Sequence, residues 1–198
     1  MILSDFLLAI RGFTKFTDPE VQTDALLISY LRMAEEKISS KLRCADMVQI
    51  DTAILTTART RMPDDFRDMD FMRKVDGKPV RYLARDKFYE ADNVTTSHFT
   101  TSGNFLIVGG TFTSVEVEMH YFGDVEPLTA TTESWLARRY PRILTFATME
   151  VASLGMVDEE RAQNWGGMAD GLIDELNAAY KMSIAKGSKL STFQGGMG

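Results

Sequence analysis

The residue types that most often do chemistry are few in this sequence and widely spaced. The only histidines are His98 and His120, and neither has a second histidine at the i, i+4 spacing of a helical metal pair. His98 lies on a predicted strand just before a turn, and His120 lies on the polar face of another predicted strand. A structural or solvent-exposed role is therefore favoured for both.

Two groups of carboxylates offer further candidates. Four aspartates cluster in one polar segment: Asp64, Asp65, Asp68 and Asp70. They could attract a divalent cation, but the segment lacks the glycine and the terminal glutamate of a calcium loop. Glu116 and Glu118 share a strand face about 7 Å apart, a spacing that could serve a glycosidase, yet nothing marks a sugar-binding cleft. A solvated loop and an ordinary wet strand are the favoured interpretations.

The remaining motifs also argue against an enzyme. Gly109-Gly110 is not followed by the lysine and helix of a phosphate loop. The single cysteine, Cys44, excludes an internal disulfide and a multi-thiolate metal site, and is predicted to be a small buried hydrophobe. We predict no catalytic residue, no metal and no cofactor.

Composition is that of an ordinary globular chain. Its 198 residues are 44% hydrophobic and 25% charged, enough for one core or for one core with a small inserted subdomain. No apolar run approaches the ~20 residues that cross a bilayer, so no membrane association is expected. The start of the chain lacks the features of a signal peptide, which makes a cytoplasmic protein the default. The net charge of −6 without a basic arm argues against sequence-specific DNA binding, but DNA passing through an acidic or neutral channel stays possible.

Apolar residues at helical spacing predict two helices in the N-terminal part. The first covers residues 4–12, and the second opens at Asp18, with Pro19 in its first position. The apolar stripe of the second helix consists of Val21, Ala25, Ile28, Leu31, Ala34, Ile38 and Leu42. This stripe is too long for a strand and requires helical partners, most simply at the C-terminus.

The middle of the chain has the alternation of strands. A strand is predicted over residues 48–56, residues 59–70 are predicted to be irregular, and Asp76-Gly77 predicts a β-hairpin between residues 71–75 and 80–83. One helical turn at residues 85–91 precedes three further strands, predicted at residues 97–101, 105–108 and 115–122. In the last strand, alternate residues face inward: Val115, Val117, Met119 and Tyr121.

The C-terminal part predicts a helical hairpin. Trp135 lies in a short helical turn, and a new helix starts at Pro141. Gly155 is predicted to be the left-handed residue that closes this helix, and Asp158 to be the N-cap of a last helix that ends at Lys186.

Three glycines stand inside that last helix, near Trp165 on its apolar face. Gly166, Gly167 and Gly171 each cost about 1 kcal/mol relative to alanine, so they mark either a tolerated kink or a surface that another helix or subunit approaches closely. The candidate residues for helix or subunit packing are Trp135, Pro141, Trp165, Gly166, Gly167 and Gly171.

These elements predict an α+β fold, a helical bundle of N- and C-terminal helices with an inserted antiparallel β subdomain. The expected organisation has N-terminal helices at 1–46, the β subdomain at 47–128, the helical hairpin at 129–186 and a flexible tail at 187–198. The tail, which cannot continue the helix past Gly187, reads as a disordered terminus or as a segment that docks through Leu190 and Phe193.

Several stretches are similar to tailed-bacteriophage head–tail adaptor (connector) proteins, most closely the podophage type. The C-terminal half carries the most specific ones: the Trp-Leu opening and Tyr-Pro step of ESWLARRYP, then DEERAQNW and DELNAAYK. Others are LRMAEEKISSKLRCADMVQIDTAILTTAR, GKPVRYLARDKFYEA, TTSGNFLIVGG and VEVEMHYFGDVEPL. Together they cover most of residues 18–190, and they consist of structural rather than reactive residues.

The resemblance implies a structural protein of the virion neck, made in the host cytoplasm and placed between capsid and tail. Such a protein forms a homo-oligomeric ring, expected to be dodecameric, under the portal protein. It extends the DNA channel, through which double-stranded DNA passes without specific binding, and it offers a docking platform for tail or nozzle proteins. The resemblance places portal contact at Ser188, Lys189, Leu190 and Phe193.

Two alternatives stay open at this point. One is another neck or tail-completion protein of the same particle. The other is a small cytoplasmic enzyme or regulatory binding protein, which would require a ligand-sized pocket with perturbed ionisable groups.

Overall fold

The computed structural model describes residues 2–14, 23–90, 95–110 and 114–193, with the backbone alone for residues 13, 14 and 186–193. The chain divides into two compact units, which are described separately below. The first comprises Met1–Asp46 and Val125–Gly198, and the second comprises Met47–Asp124.

The described residues form six α-helices, a short 3₁₀ helix at Ala45–Met47 and seven strands. The helices are α1 (Leu3–Thr14), α2 (Asp24–Lys41), α3 (Arg85–Glu90), α4 (Trp135–Arg139), α5 (Pro141–Gly155) and α6 (Glu159–Phe193). The strands are β1 (Val48–Leu55), β2 (Arg59–Arg61), β3 (Asp68–Lys74), β4 (Arg81–Tyr82), β5 (His98–Ser102), β6 (Phe105–Val108) and β7 (Val115–Phe122). The predicted α+β class is confirmed, while the bundle arrangement stays a prediction.

Helix α2 supplies the most regular apolar stripe of the first unit. Its N-cap is Thr23, whose hydroxyl accepts a hydrogen bond from the Leu26 N–H at 3.3 Å. Its buried apolar residues recur every three or four positions: Leu27, Leu31, Ala34 and Ile38. The predicted start at Asp18 and Pro19 lies outside the described residues.

The chain segment that re-enters the first unit is fixed to α2 by buried polar groups. The carboxylate of Glu35, which is 5% exposed, accepts the Leu128 N–H at 2.7 Å and an Arg32 guanidinium N–H at 2.6 Å. Arg32 also donates to the Leu128 carbonyl at 2.8 Å. One turn further along α2, the Ser39 hydroxyl accepts the Val125 N–H at 3.0 Å. These bonds satisfy backbone groups that burial would otherwise leave unpaired.

Helices α5 and α6 form the predicted hairpin, and α5 also packs against α2. The two helices approach each other closely at Gly166, where a β-carbon would lie 2.8 Å from the carboxyl carbon of Glu150. Glu150 forms an ion pair with Lys37 of α2, and Lys37 also lies 3.4 Å from Asp170 of α6. A larger residue at position 166 would therefore have to displace the Glu150 carboxylate, which is paired with Lys37.

The turn between α5 and α6 differs from the sequence prediction. Gly155 is the last residue of α5 but has no left-handed φ; the left-handed residue is Val157, with φ 61°. Hydrogen bonds from Val157 N–H to Leu154 and from Asp158 N–H to Ser153 hold the turn. Left-handed geometry costs an L-residue about 1–2 kcal/mol, and it is most unusual for a β-branched one.

The second unit contains two sheets. One has the order β1-β7-β3 and is antiparallel throughout; the other has the order β2-β6-β5-β4. In the second sheet β4 pairs with β5 in parallel, over Arg81–His98 and Tyr82–Phe99. The core of this unit includes Leu55, Met72, Phe99, Leu106 and Val117. The predicted inward positions Val117, Met119 and Tyr121 are buried, and Val115 is half-buried.

Two predictions in this region are wrong in part. Residues 59–70 are not wholly irregular, because β2 occupies Arg59–Arg61 and β3 begins at Asp68. The turn at Asp76-Gly77 is correct, with Gly77 at φ 87°, and its two arms are joined around the bridge between Arg73 and Pro79 by the hydrogen bonds of Lys74 N–H to Lys78 and of Val80 N–H to Met72. The strands into which the arms continue, however, belong to different sheets. The predicted hairpin is thus a turn that passes from one sheet to the other.

The last helix is longer than predicted. Helix α6 includes Gly187 and continues through Phe193, so the prediction that the helix cannot pass Gly187 is wrong. A glycine costs a helix only about 1 kcal/mol, which a helix of 35 residues tolerates. Residues 194–198 lie outside the described part of the chain.

Gly166→Ala and Gly167→Ala form a matched pair that tests the close approach of α5 and α6. At Gly167 a β-carbon meets nothing within 4 Å, so alanine should raise the free energy of unfolding by about 0.5–1 kcal/mol. At Gly166 the same gain should be cancelled, because Glu150 must move away from Lys37. Urea denaturation measures both, and equal stabilisation by the two alanines would contradict this account.

Candidate functional site

The histidine and glutamate on the polar face of β7 are bound to each other. Nε2 of His120 lies 2.6 Å from Oε1 of Glu118, and Arg73 of β3 approaches the same oxygen at 2.7 Å. The hydrogen bond with His120, followed by that with Arg73, lowers the pKa of Glu118. A carboxylate held ionised in this way is poorly suited to act as a general acid. Glu116 is exposed and takes no part in this group.

The aspartates of the polar segment do not converge on a common point. Asp64 pairs with Arg61 at 2.6 Å, Asp65 accepts from the Tyr121 hydroxyl at 3.2 Å, and Asp68 accepts its neighbour's N–H. In the other sheet, Nδ1 of His98 contacts the Thr95 hydroxyl at 3.2 Å. Across the described ranges, no group of three or more histidine, cysteine or acidic side chains has the geometry to hold a metal ion.

A cleft of about 750 Å³ lies within the second unit, lined by residues of β3, β4 and β5 and by the segment before β3. Its walls include Met62, Phe66 and Tyr82, together with Asp70 and Arg81. It is large enough for a small ligand. However, neither histidine nor Glu118 contributes to its lining, so the most reactive side chains of this unit lie elsewhere.

Tyr121 is a buried titratable group of the second unit. Its side chain is 6% exposed and packs against Phe66, with ring centroids 5.7 Å apart. Burial, and then the neighbouring charge of Asp65, raises the pKa of Tyr121 to about 12. The hydroxyl is thus kept protonated and acts as a structural donor.

Both tryptophans of the helical part contact another aromatic ring. Trp135 of α4 contacts Tyr140 edge to face at 6.2 Å, and Trp165 of α6 stacks on Phe146 of α5 at 5.5 Å. Pro141 is the first residue of α5, as predicted. Since these contacts are internal to one chain, they support helix packing and leave subunit packing untested.

The three glycines of α6 have different surroundings. Gly166 is buried against Glu150, whereas added β-carbons at Gly167 and Gly171 would meet nothing within 4 Å. Internal packing therefore requires a glycine only at position 166. The surface around Gly167 and Gly171 is open in the single chain.

The C-terminal part of α6 extends beyond its internal contacts. Asn177 still joins α6 to the end of α2, accepting the Arg43 N–H at 2.6 Å and donating to the Lys41 carbonyl at 3.0 Å. Beyond it, residues 181–185 are all exposed, including Met182 at 64% and Ile184 at 48%. The predicted portal-binding residues Ser188, Lys189, Leu190 and Phe193 follow on the same helix backbone.

An apolar groove lies where the start of α5 meets the middle of α6. We call it the α5–α6 groove; its volume is about 390 Å³ and its lining comprises Arg139, Tyr140, Pro141, Arg142, Ile143, Leu172, Glu175 and Leu176. Arg139 is engaged in an ion pair with Asp46, whereas Arg142 is exposed. The groove thus combines an apolar floor with an arginine at its rim.

At the other end of α5, the turn into α6 presents apolar side chains to solvent. Leu154 is 55% exposed, Met156 is 38% exposed and Val157 is 84% exposed. The exposed acids Glu159 and Glu160 follow directly. We call residues 154–160 the hairpin tip. Sequence reasoning missed this feature, and its only signal is an apolar pair immediately before an N-cap aspartate.

The model of the SU10 adaptor protein family matches residues 1–189. The chain belongs to the SU10 adaptor protein family. The resemblance to phage head–tail adaptors is thereby confirmed. No curated protein matches the chain.

Membership makes this adaptor a bacteriophage structural protein, a virion component that associates with portal and tail proteins. The match covers the helices, both sheets and α6 as far as Lys189, so it does not depend on one motif. In the described part of the adaptor, no helix is both long enough and apolar enough to cross a bilayer.

Tyr121→Phe tests the buried hydroxyl through the alkaline pH dependence of stability. Below pH 10 the Tyr121 hydroxyl is protonated in both the folded and the unfolded chain. Between pH 10 and 12 the unfolded chain loses this proton while the folded chain keeps it, so the free energy of unfolding falls as pH rises. Between pH 9 and pH 11, wild type should lose about 1 kcal/mol more free energy of unfolding than Tyr121→Phe.

Urea denaturation at the two pH values measures this difference. Tyr89, which is 62% exposed, provides the matched control Tyr89→Phe. The free energy of unfolding of this chain should change between the two pH values as it does in wild type. The account of Tyr121 would be contradicted if the Tyr121→Phe chain lost as much stability as wild type over this range.

Proposed function

We propose that this adaptor forms a homo-oligomeric ring, dodecameric in its mature form, under the portal of the capsid. The ring extends the DNA channel and offers a docking platform for the tail or nozzle proteins. Double-stranded DNA passes through it without specific binding. The protein acts by assembly, without a catalytic step or a cofactor.

The observation that carries this proposal is the length of α6. The helix has 35 residues against 15 in α5, its hairpin partner, so its C-terminal part projects past the start of α5. Exposed Met182 and Ile184 are costly to leave in water on a monomer, and such residues commonly mark interaction sites. A second protein that covers this part of the helix removes that cost.

The spacing of residues beyond position 181 supports the portal as the partner of this segment. Positions 182, 186, 190 and 193 recur every three or four residues, which is the spacing of one helix face. Methionine, leucine and phenylalanine occupy three of these positions, and Lys186 occupies the fourth. An amphipathic helix of this kind docks into an apolar groove through its i, i+3 and i+4 anchors.

The two units take different roles in this proposal. The helices of the first unit form the wall of the ring, and the sheets of the second unit face the tail side or the neighbouring subunit. The adaptor's net charge of −6 promotes the solubility of free subunits before assembly and disfavours the adhesion of DNA.

Binding to the portal ring of the same particle tests the proposal. The full chain and a chain that ends at Lys186 are each mixed with purified portal and examined by mass photometry and negative-stain imaging. We expect the full chain to form a stoichiometric ring on the portal and the shortened chain to bind at least about tenfold more weakly, because two of the apolar anchors are lost.

A substitution pair separates the apolar anchors from the mere length of the helix. Leu190→Ala with Phe193→Ala should weaken portal binding, whereas Ser191→Ala with Thr192→Ala, in the same turn, should not. Equal binding by all four chains would retain the ring and exclude the tail as the portal contact. An adaptor that binds tail proteins but never the portal would instead be a tail-completion protein.

A further inference from the structure

Two surfaces at opposite ends of α5 are chemically complementary. The hairpin tip presents exposed aliphatic side chains followed by the acids Asp158, Glu159 and Glu160. The α5–α6 groove has an apolar floor that includes Ile143, Leu172 and Leu176, with exposed Arg142 at its rim. An aliphatic projection beside acids fits an apolar recess beside an arginine.

These two surfaces cannot meet within one chain. Helix α5 separates Arg142 from Val157 by 15 positions, most of them helical, or about 20 Å at 1.5 Å per residue. A contact between tip and groove therefore has to join two copies. Because the tip and groove are different surfaces, the contact is head to tail, and such contacts repeat around a ring when the rotation closes.

We propose that the hairpin tip of one subunit inserts into the α5–α6 groove of the next and forms the contact between neighbouring subunits, a proposal that rests on the ring proposed above. Val157 supplies the centre of the contact and enters the apolar floor. The acids that begin α6 face Arg142 of the neighbour. The occupant of the groove is thus a second copy of this chain.

The backbone of the tip supports this assignment. A valine at φ 61° is strained, and glycine would adopt the same geometry without strain. The strained residue is nevertheless 84% exposed, so no packing within the described chain accounts for it. Strain of this kind concentrates at functional positions. The hydrogen bonds of Val157 N–H to Leu154 and of Asp158 N–H to Ser153 hold the projection rigid before contact.

The charged groups are available for such a contact. Arg142, Glu159 and Glu160 are exposed, and no ion pair among the described residues engages them. Asp158, in contrast, is the N-cap of α6 and pairs with Arg161 at 3.2 Å. The other charged residues of the groove lining are Glu175 and Arg139, and Arg139 is already paired with Asp46. Arg142 is therefore the cation that can receive an acid from a neighbouring subunit.

Paired cysteines test the contact directly. In rings assembled on the portal, a chain with both Glu159→Cys and Arg142→Cys, the two positions that face each other in the proposed contact, should form a ladder of disulfide-linked oligomers upon mild oxidation. Each chain with only one of the two substitutions, which still carries native Cys44, should give no ladder. An internal disulfide is impossible, because it requires α-carbons within about 7 Å of each other, and the two positions lie near opposite ends of α5. Native Cys44 is buried, and the chains with one substitution show whether it reacts.

Two surface substitutions test the direction of the contact. Val157→Asp removes the projection and Arg142→Glu repels the incoming acids, so each chain alone should fail to form rings. An equimolar mixture retains one intact interface, between the Arg142→Glu tip and the Val157→Asp groove. Mass photometry should therefore show heterodimers from the mixture and no larger species.

Val157→Gly separates assembly from folding. It should raise the melting temperature by a few degrees by relieving strain, and yet weaken ring formation at least about tenfold through the loss of the central apolar group. Rings that form normally from Val157→Asp and Arg142→Glu chains, without a cysteine ladder, would overturn this contact and leave the ring itself intact. Failure of wild type to form any ring would overturn both proposals.

Discussion

The close approach of α5 and α6 at Gly166 is the constraint on which the first unit depends. The missing side chain admits the carboxylate of Glu150, and Lys37 of α2 joins that carboxylate to Asp170 of α6. Asp170 also accepts from Lys41 at 2.8 Å; burial opposes its ionisation, but the two lysines prevail and lower its pKa. Helix α2, which is distant in sequence, is thereby held to both helices of the C-terminal hairpin at one point. That point fixes the hairpin whose turn and free end carry the proposed contacts.

Local chemistry made much of the fold predictable. Pro141 starts α5, Asp158 caps α6, and Gly77 makes its turn, because each role depends on one residue and its immediate neighbours. Strand partners could not be predicted in the same way: β3 pairs with β7, far along the chain, and β2 is an Arg-Thr-Arg segment with no apolar alternation. The end of α6 was misjudged because the cost of one glycine was given more weight than the length of the helix.

Of the proposed assembly surfaces, one can also be predicted from the sequence and two cannot. The apolar anchors beyond Gly187 are visible in the sequence, since two large apolar residues stand out in a polar terminus. The α5–α6 groove is not visible, because Ile143 and Leu172 come together only when the hairpin closes. The hairpin tip is also hidden, since a single exposed Val157 gives no periodic signal and its strained φ is known only from the backbone. His98, His120 and Glu118 were correctly located on strands, and Glu118 is held there by contacts with His120 and Arg73.

We propose that this adaptor forms a ring between portal and tail. Electron cryomicroscopy of the neck of the assembled particle tests it most directly, since it locates every copy of the chain without any engineered change. The account predicts a closed ring of identical subunits under the portal, each with the C-terminal end of α6 against a portal groove and its hairpin tip against the next subunit. A neck whose ring is made by another protein, with this chain elsewhere in the particle, would contradict it.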